Sequence, residues 1–322
     1  MEQLKFTEGE LKCLRAIASM GSARASAIAM HTQVALPNVS RAITSLKDKG
    51  CIKTERKGHS SVVSLSEAKH AALWRKLALE FAHMPLDRLL AGASLEVLST
   101  VCYLKLGNRK EIAENALVSE RTAAVVLERF KQFGVIQKTT EYQVSPRFRT
   151  LSEFVIEFRH YLNQKIATRF ASDALILWEC NHEFIIESKQ TLEKDGFRLT
   201  AASAFARFGV ALLASISYFF YSPILRKLRI EEVILHALLV PGKSMLPILL
   251  VWKKNERRIS LPYIEQQSEK YNATVLLKDV VSYFETKGVR RTEGFPPWRE
   301  FLLRAREYGM TGVKERCSPR KI

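Results

Sequence analysis

The sequence predicts a mainly α fold with small β-hairpins, in which a unit of three helices and a hairpin occurs twice within residues 1–150 and an α+β domain fills residues 151–322. Three observations carry this expectation. Shifting the chain by 84 residues superimposes an ordered series of apolar and glycine positions. Within each copy the apolar spacing is helical up to a glycine and strand-like after it. Beyond residue 150, short strand-like runs alternate with longer helical ones.

In the repeat, Leu11 meets Leu95, Leu14 meets Leu98, Ile28-Ala29 meets Ile112-Ala113 and Val34 meets Val118. Leu46 then meets Phe130, Gly50 meets Gly134, and Ile52 meets Ile136. An ungapped, ordered series of this kind means a duplication or one fold used twice.

The first copy opens at Thr7, which with Glu10 three residues later makes a capping box for a helix through Leu11, Leu14, Ile17 and Ala18. A short second helix is expected over Ala23–Met30. After a polar break at His31–Gln33, a third helix runs from Leu36 to Lys49, with Pro37 tolerated in its first turn and Val39, Ile43 and Leu46 as its buried stripe. Gly50 ends that helix, and CIKTER and SVVSLS follow as two strands around a basic turn. Three helices and a hairpin define a winged helix-turn-helix, here residues 1–70.

Ala68–His83 reads as a connecting helix stopped before Pro85, so residues 71–85 link the two copies. The second copy, residues 86–150, repeats the order with helices over Ser94–Lys105, Arg109–Asn115 and Ser119–Gln132, then Gly134 and a shorter hairpin, VIQKTTEYQVS. Ser119 is the natural N-cap of its third helix.

Fifty Lys and Arg against 33 Asp and Glu give a formal charge of +17. Such an excess draws a polyanion, because neutralised phosphates release counterions. Double-stranded DNA is the first candidate partner and an anionic membrane surface the second. The excess is spread evenly, with 23 basic and 14 acidic residues in 1–150 and 27 and 19 in 151–322. Five scattered cysteines at 13, 51, 102, 180 and 317 form no CxxC pair, which fits a reducing compartment. The opening MEQLKFTEGELK has no basic region leading into an apolar run, so a cytoplasmic location is expected.

At SRAITSLKDKGCIKTERKGHSSVVSLSE the first copy resembles the MarR and ArsR-type regulators, whose recognition helix ends in a Leu-x-x-x-Gly-x-Ile turn into the wing. NRKEIAENALVSERTAAVVLERFKQFGVI in the second copy resembles the same superfamily. The resemblance implies DNA binding, transcription regulation and a homodimer.

A recognition helix reads base edges from its outward face. Setting aside the buried stripe leaves Asn38, Ser40, Arg41, Thr44 and Lys47 facing out. Arg41 suits guanine, Asn38 suits adenine, and Ser40 and Thr44 suit a base or a phosphate. On the wing, Arg56, Lys57 and His59 flank Gly58 at a loop tip. They grip the DNA backbone, enter a minor groove, or stay solvated as hairpin charge. In the second copy the corresponding candidates are Arg121, Thr122 and Arg129, with Glu120 beside them and Lys138 on the wing. That face is expected either to touch DNA or to serve dimerisation or protein docking.

In the remainder, Leu151, Phe154, Val155, Phe158 and Leu162 share one face of a helix over Leu151–Phe170. ALILWEC, EFIIES and LPILLVW read as strands, while RIEEVILHALLV, PYIEQQSEKYN, ATVLLKDVVSYFETKG and PPWREFLLRAREYG read as helices. The uncharged run Phe208–Leu225 approaches membrane-span length, but its strand-forming SISYFFYS portion favours a buried element. Glu179, His182, Glu183 and Glu187 crowd a short stretch without HExxH spacing, so they are expected as surface or turn residues, with no metal or cofactor.

The stretch FRLTAASAFARFGVAL, with the later EEVILHALL, is similar to the nucleotidyltransferase-like domains of AbiE-type systems and archaeal winged-helix proteins. Those enzymes use a Gly-Ser loop and an Asp-x-Asp pair to hold magnesium. Ala202-Ser203 stands in place of Gly-Ser and no Asp-x-Asp follows, so the resemblance implies a binding domain without the catalytic carboxylates. The leading expectation is a non-enzymatic, homodimeric regulator of transcription. Residues 151–322 then supply dimerisation, small-molecule effector sensing or partner docking, away from membranes. The alternative is an antitoxin or defence-associated autorepressor whose C-terminal domain binds a protein partner. A degenerate or active nucleotidyltransferase is third.

Overall fold

The computed structural model describes residues 4–57 and 60–310, the side chains of Lys57 and Ser60 excepted. The chain divides into two compact units, Met1–Ile166 and Ala167–Ile322.

In the first unit, α1 (Glu8–Met20) starts on the expected capping box, with Thr7 Oγ1 accepting from the Glu10 amide at 3.1 Å and Glu10 Oε2 accepting from the Thr7 amide at 2.6 Å. A two-residue strand β1 (Ser22–Ala23) precedes α2 (Ala25–Thr32), and Gln33 in the left-handed region turns the chain into α3 (Leu36–Asp48). The wing is β2 (Ile52–Lys57) against β3 (Ser60–Leu65), antiparallel, with β1 on the far side of β3 as a third strand.

Helix α4 (Lys69–Glu80) and the single turn α5 (Leu86–Leu89) lead to α6 (Ser94–Tyr103), α7 (Arg109–Asn115) and α8 (Glu120–Gln132), the last N-capped by Ser119 Oγ at 3.1 Å from the Thr122 amide. Strands β4 (Ile136–Lys138) and β5 (Tyr142–Val144) form a short antiparallel hairpin before α9 (Arg149–Phe170).

Burial and turn geometry agree at several positions 84 residues apart. Leu11 and Leu95, Leu14 and Leu98, Ile28 and Ile112, and Leu46 and Phe130 are all fully buried. Gly50 and Gly134 adopt φ of +66° and +69°, and Gln33 and Leu117, also 84 apart, adopt +57° and +55°. Leucine rarely enters the left-handed region, so Leu117 is held there by the turn that the second copy shares with the first.

These elements enclose one apolar core running from Leu4 to Leu162. Helix α9 was expected to open the C-terminal domain at 151. Instead its stripe packs into the first unit, with Phe154 5.5 Å from Trp74 and Phe158 stacked 5.1 Å from Phe6. The boundary therefore falls at 166/167, because the rings that meet that stripe, Phe6, His70 and Trp74, all belong to the first unit. Arg159 of α9 is 1% exposed and pairs with buried Glu96 of α6, whose other oxygen accepts from the Leu4 amide at 2.6 Å.

The second unit is α+β. Strands β6 (Leu175–Cys180), β7 (Glu183–Ser188), β8 (Phe197–Leu199) and β9 (Ser217–Tyr221) form an antiparallel sheet in the order β6-β7-β9-β8. One face carries an aromatic layer of Phe170, Phe184, Phe197, Phe219 and Tyr221. The opposite face, with Ile185 and Phe220, packs into the helical core. That layer contains α10 (Ala201–Ala204), α11 (Ile230–Leu239), α12 (Met245–Lys254), α13 (Leu261–Lys270), α14 (Thr274–Glu285) and α15 (Trp298–Glu307).

One strand expectation is corrected: LPILLVW is not a strand but the body of α12, burying Ile248, Leu249, Val251 and Trp252. A short, wholly apolar run cannot reveal its period, and Pro247 fits a first helical turn. The Phe208–Leu225 run ends a 3₁₀ turn and continues through a loop into β9. Among the described residues no helix is long and apolar enough to cross a membrane.

The paired glycines provide a test. At Gly134 an added Cβ meets nothing within 4 Å, whereas at Gly50 it falls 2.4 Å from the Tyr161 ring. Gly134→Ala should cost only the left-handed backbone term, about 1 kcal/mol. Gly50→Ala must also displace Tyr161 and should cost about 1–2 kcal/mol more, measurable by urea denaturation. Equal losses would mean that the Tyr161 contact does not constrain the first copy.

Candidate nucleic-acid interface

The third helix of the first copy is anchored at its C-terminal end. Lys49, its C-cap, reaches Glu10 Oε1 at 2.7 Å and sits 4.8 Å above the Phe6 ring. One carboxylate thus caps α1 with one oxygen and holds α3 with the other. Burial alone would raise the Glu10 pKa, but bonds from Lys49, Ser45 and the Thr7 amide outweigh it and hold the group below the usual carboxylate range. His70 of α4 donates from Nε2 to the Lys49 carbonyl at 3.2 Å, and its ring packs against Phe158 and Tyr161 of α9.

With Val39, Ala42 and Leu46 turned inward, the outward face of α3 presents the expected residues together: Asn38, Ser40, Arg41, Thr44 and Lys47 are all exposed. At 1.5 Å rise per residue this 13-residue helix is about 20 Å long, and a helix of that kind fits a major groove about 12 Å wide. Arg41 Nη2 donates to Asn38 Oδ1 at 3.0 Å, and Thr44 Oγ1 donates to the Ser40 carbonyl at 3.2 Å. Asn38 therefore holds the guanidinium along the face. The helix carries one carboxylate, Asp48, at its far end. On the wing Arg56 is exposed, while the side chain of Lys57 and all of Gly58 and His59 lie outside the described residues. Arg24, the exposed N-cap residue of α2, is a further cation near this helix pair that apolar spacing alone did not single out.

The same face of the second copy differs in chemistry. Counting 84 residues on, Arg41 is replaced by Val125, Thr44 by Glu128 and Ser40 by Ala124. Val125 is 60% exposed. Arg121 is exposed beside Glu120. Thr122 lies 2.8 Å from Ser119 within the N-cap. Arg129 is turned inward, donating to Ser94 Oγ at 2.5 Å and to the Arg88 carbonyl at 3.4 Å, with burial lowering its pKa. Of the three candidates on this copy, only Arg121 faces solvent unengaged.

In the second unit, Glu183 is bound by Lys270 at 2.5 Å, and His182 lies in the β6–β7 turn, as expected, but with its side chain buried. Ser203 accepts from the Tyr218 amide at 2.9 Å. Among the described residues no group of three or more His, Cys, Asp and Glu is placed to hold a metal ion.

Helix, turn, recognition-type helix and wing define the first copy as a winged helix-turn-helix. Residues 6–58 match the MarR family, so this segment is a MarR-type winged helix, a module of DNA-binding transcription regulators. No curated protein matches the chain.

Because His70 supports the end of α3, the module should be acid-sensitive. Burial holds the His70 pKa down at about 4, against an ordinary value near 6.5. The neutral ring is kept in the fold while the unfolded chain binds a proton, so stability is complete above about pH 6.5 and declines towards pH 4. The full loss is on the order of 3 kcal/mol at one proton. Chemical denaturation between pH 7.5 and 4.5 should show a smaller decline for His70→Phe than for the unmodified chain. Parallel declines would exclude His70 as the source.

Proposed function

We propose that this protein is a transcriptional regulator that reads double-stranded DNA with α3 and the wing of its first module. The observation that carries this reading is the outward face of α3. Five polar or cationic side chains are exposed there together on a helix whose core side and C-terminal end are locked, leaving the face free for a groove. In this arrangement Arg41, oriented by Asn38, addresses guanine O6 and N7. Ser40, Thr44 and Lys47 take neighbouring bases or phosphates, and Arg56 with Lys57 and His59 on the wing holds the backbone.

The second copy is proposed as a second winged helix of tandem type with a different task. Its α8 face sets Glu120 and Glu128 beside Arg121 and offers apolar area at exposed Val125, which suits the contact between two copies of the chain. A homodimer would present two recognition helices to half-sites about one helical turn apart. The second unit then supplies the sensing or docking function, and no reaction chemistry is assigned to it.

The direct test is anisotropy of duplex DNA from the gene's own upstream region against random duplex, over a salt series. Selective binding is expected. Arg41→Ala should lose about 1–3 kcal/mol and relax preference at one base pair, while Arg56→Ala should weaken all duplexes alike and reduce the salt slope by about one. If the two variants behave alike on every duplex, α3 is not the reader. Sedimentation velocity of Val125→Glu, expected to run as a monomer where the unmodified chain runs as a dimer, separates the dimer proposal from the DNA proposal.

A further inference from the structure

The second unit contains a cavity that neither the sheet's aromatic layer nor any assigned role accounts for. It has a volume of about 230 Å³ and lies between α10, β9, α11 and the loop leading into α12. Its inner wall is apolar where Ala201, Phe205, Ala237 and Ile248 are buried, and Tyr218 lines one side. Neither Asp nor Glu lines it. The loop Val240–Ser244 forms the rim and brings in one charged side chain, Lys243.

Three features of that rim bear on a ligand. Lys243 is half-buried and makes no ion pair or hydrogen bond within the described residues. Burial, uncompensated by any carboxylate, pulls its pKa below the usual lysine value. The neighbouring hydroxyl of Ser244 makes no capping bond to α12. A cation that is partly removed from water without a partner costs free energy in the empty protein, and an anion arriving beside an apolar wall would recover it.

We propose that this cavity binds a small organic acid, an apolar body ending in one carboxylate, with Lys243 pairing the carboxylate and Ser244 donating to it. The volume lies below the range of drug-sized sites, about 300–1,000 Å³, and limits the body to on the order of ten heavy atoms. Nucleotides are too large and too polar for the wall. A phosphate ester would bring two charges to one ammonium. The amine end of an amino acid would find no acceptor carboxylate in the lining.

The site can be tested without DNA, so its failure is distinct from failure of the regulator reading. Isothermal titration calorimetry on the full chain would compare octanoate, its neutral isostere octanamide, and inorganic phosphate. Octanoate should bind at least tenfold more tightly than octanamide, and phosphate should not bind. Lys243→Met, which alters only a rim side chain, should keep the thermal midpoint of the unmodified chain and reduce octanoate to the affinity of the amide. Narrowing the cavity in a second variant, Ala202→Leu, should weaken acid and amide together. Equal affinities for acid and amide, octanoate binding retained in Lys243→Met, or no octanoate binding at millimolar concentration would each overturn the proposal.

Discussion

In the first unit, a carboxylate and a guanidinium are both held away from water. Glu96 of α6 and Arg159 of α9 are 63 residues apart, and the same carboxylate also accepts the amide of Leu4. Burying either charge alone costs several kcal/mol, and the pair is tolerated only when geometry and further hydrogen bonds are satisfied. The constraint is therefore one of register: the N-terminal segment, the first helix of the second copy and the long helix must meet at one point. Phe6 stacks on Phe158 next to it, and Lys49 at the end of α3 lies over the same Phe6 ring. The end of α3 is thus fixed on a segment, Leu4 to Phe6, that the buried ion pair and the α9 stripe both hold.

Positions 84 residues apart in the sequence repeat show which sites physics constrains and which it leaves open. Where side chains fill the core, both copies keep large apolar residues, because a close-packed interior penalises lost volume. Where the third helix ends in a left-handed turn, glycine recurs at 50 and 134, while the left-handed turn before that helix holds Gln33 in one copy and Leu117 in the other. The outward face of the third helix has no such constraint, and there the copies part: Arg41 against Val125, Thr44 against Glu128. An arginine-to-valine difference at a solvent-exposed position does little for stability. It changes what the surface offers a partner, so the proposed division of labour would rest on residues the fold does not need.

Much of this was legible in the sequence. The capping box at Thr7, the N-cap at Ser119, the helix-ending glycines and the outward residues of α3 followed from local rules whose physical basis acts within a few residues. What stayed hidden depended on distant partners. A two-residue β1 has no pattern of its own and exists because β3 offers an edge. Arg129 reads as an exposed cation until Ser94 and the Arg88 carbonyl are placed beside it. The stripe on α9 is plain in Phe154, Phe158 and Leu162, yet nothing local says that it packs backward onto residues 6–81 and not forward. LPILLVW was misread because a uniformly apolar run satisfies strand and helix periods equally.

In the second unit the pattern of paired charges sets Lys243 apart. Arg226 meets fully buried Glu232 at 2.6 Å, Arg229 meets buried Glu231 at 3.0 Å, and Lys270 meets Glu183 at 2.5 Å. Each of these cations has its partner at hydrogen-bonding distance, as the cost of desolvating charge requires. His236, fully buried beside them, is held neutral: burial first, then the positive charges of Arg226 and Lys270, push its pKa well down, while Nδ1 shares a hydrogen bond with Thr200 at 2.7 Å. Lys243, by contrast, sits at the rim of the cavity with no carboxylate in the lining. In the proposed site, the charge of Lys243 would be matched only when an anion enters the cavity.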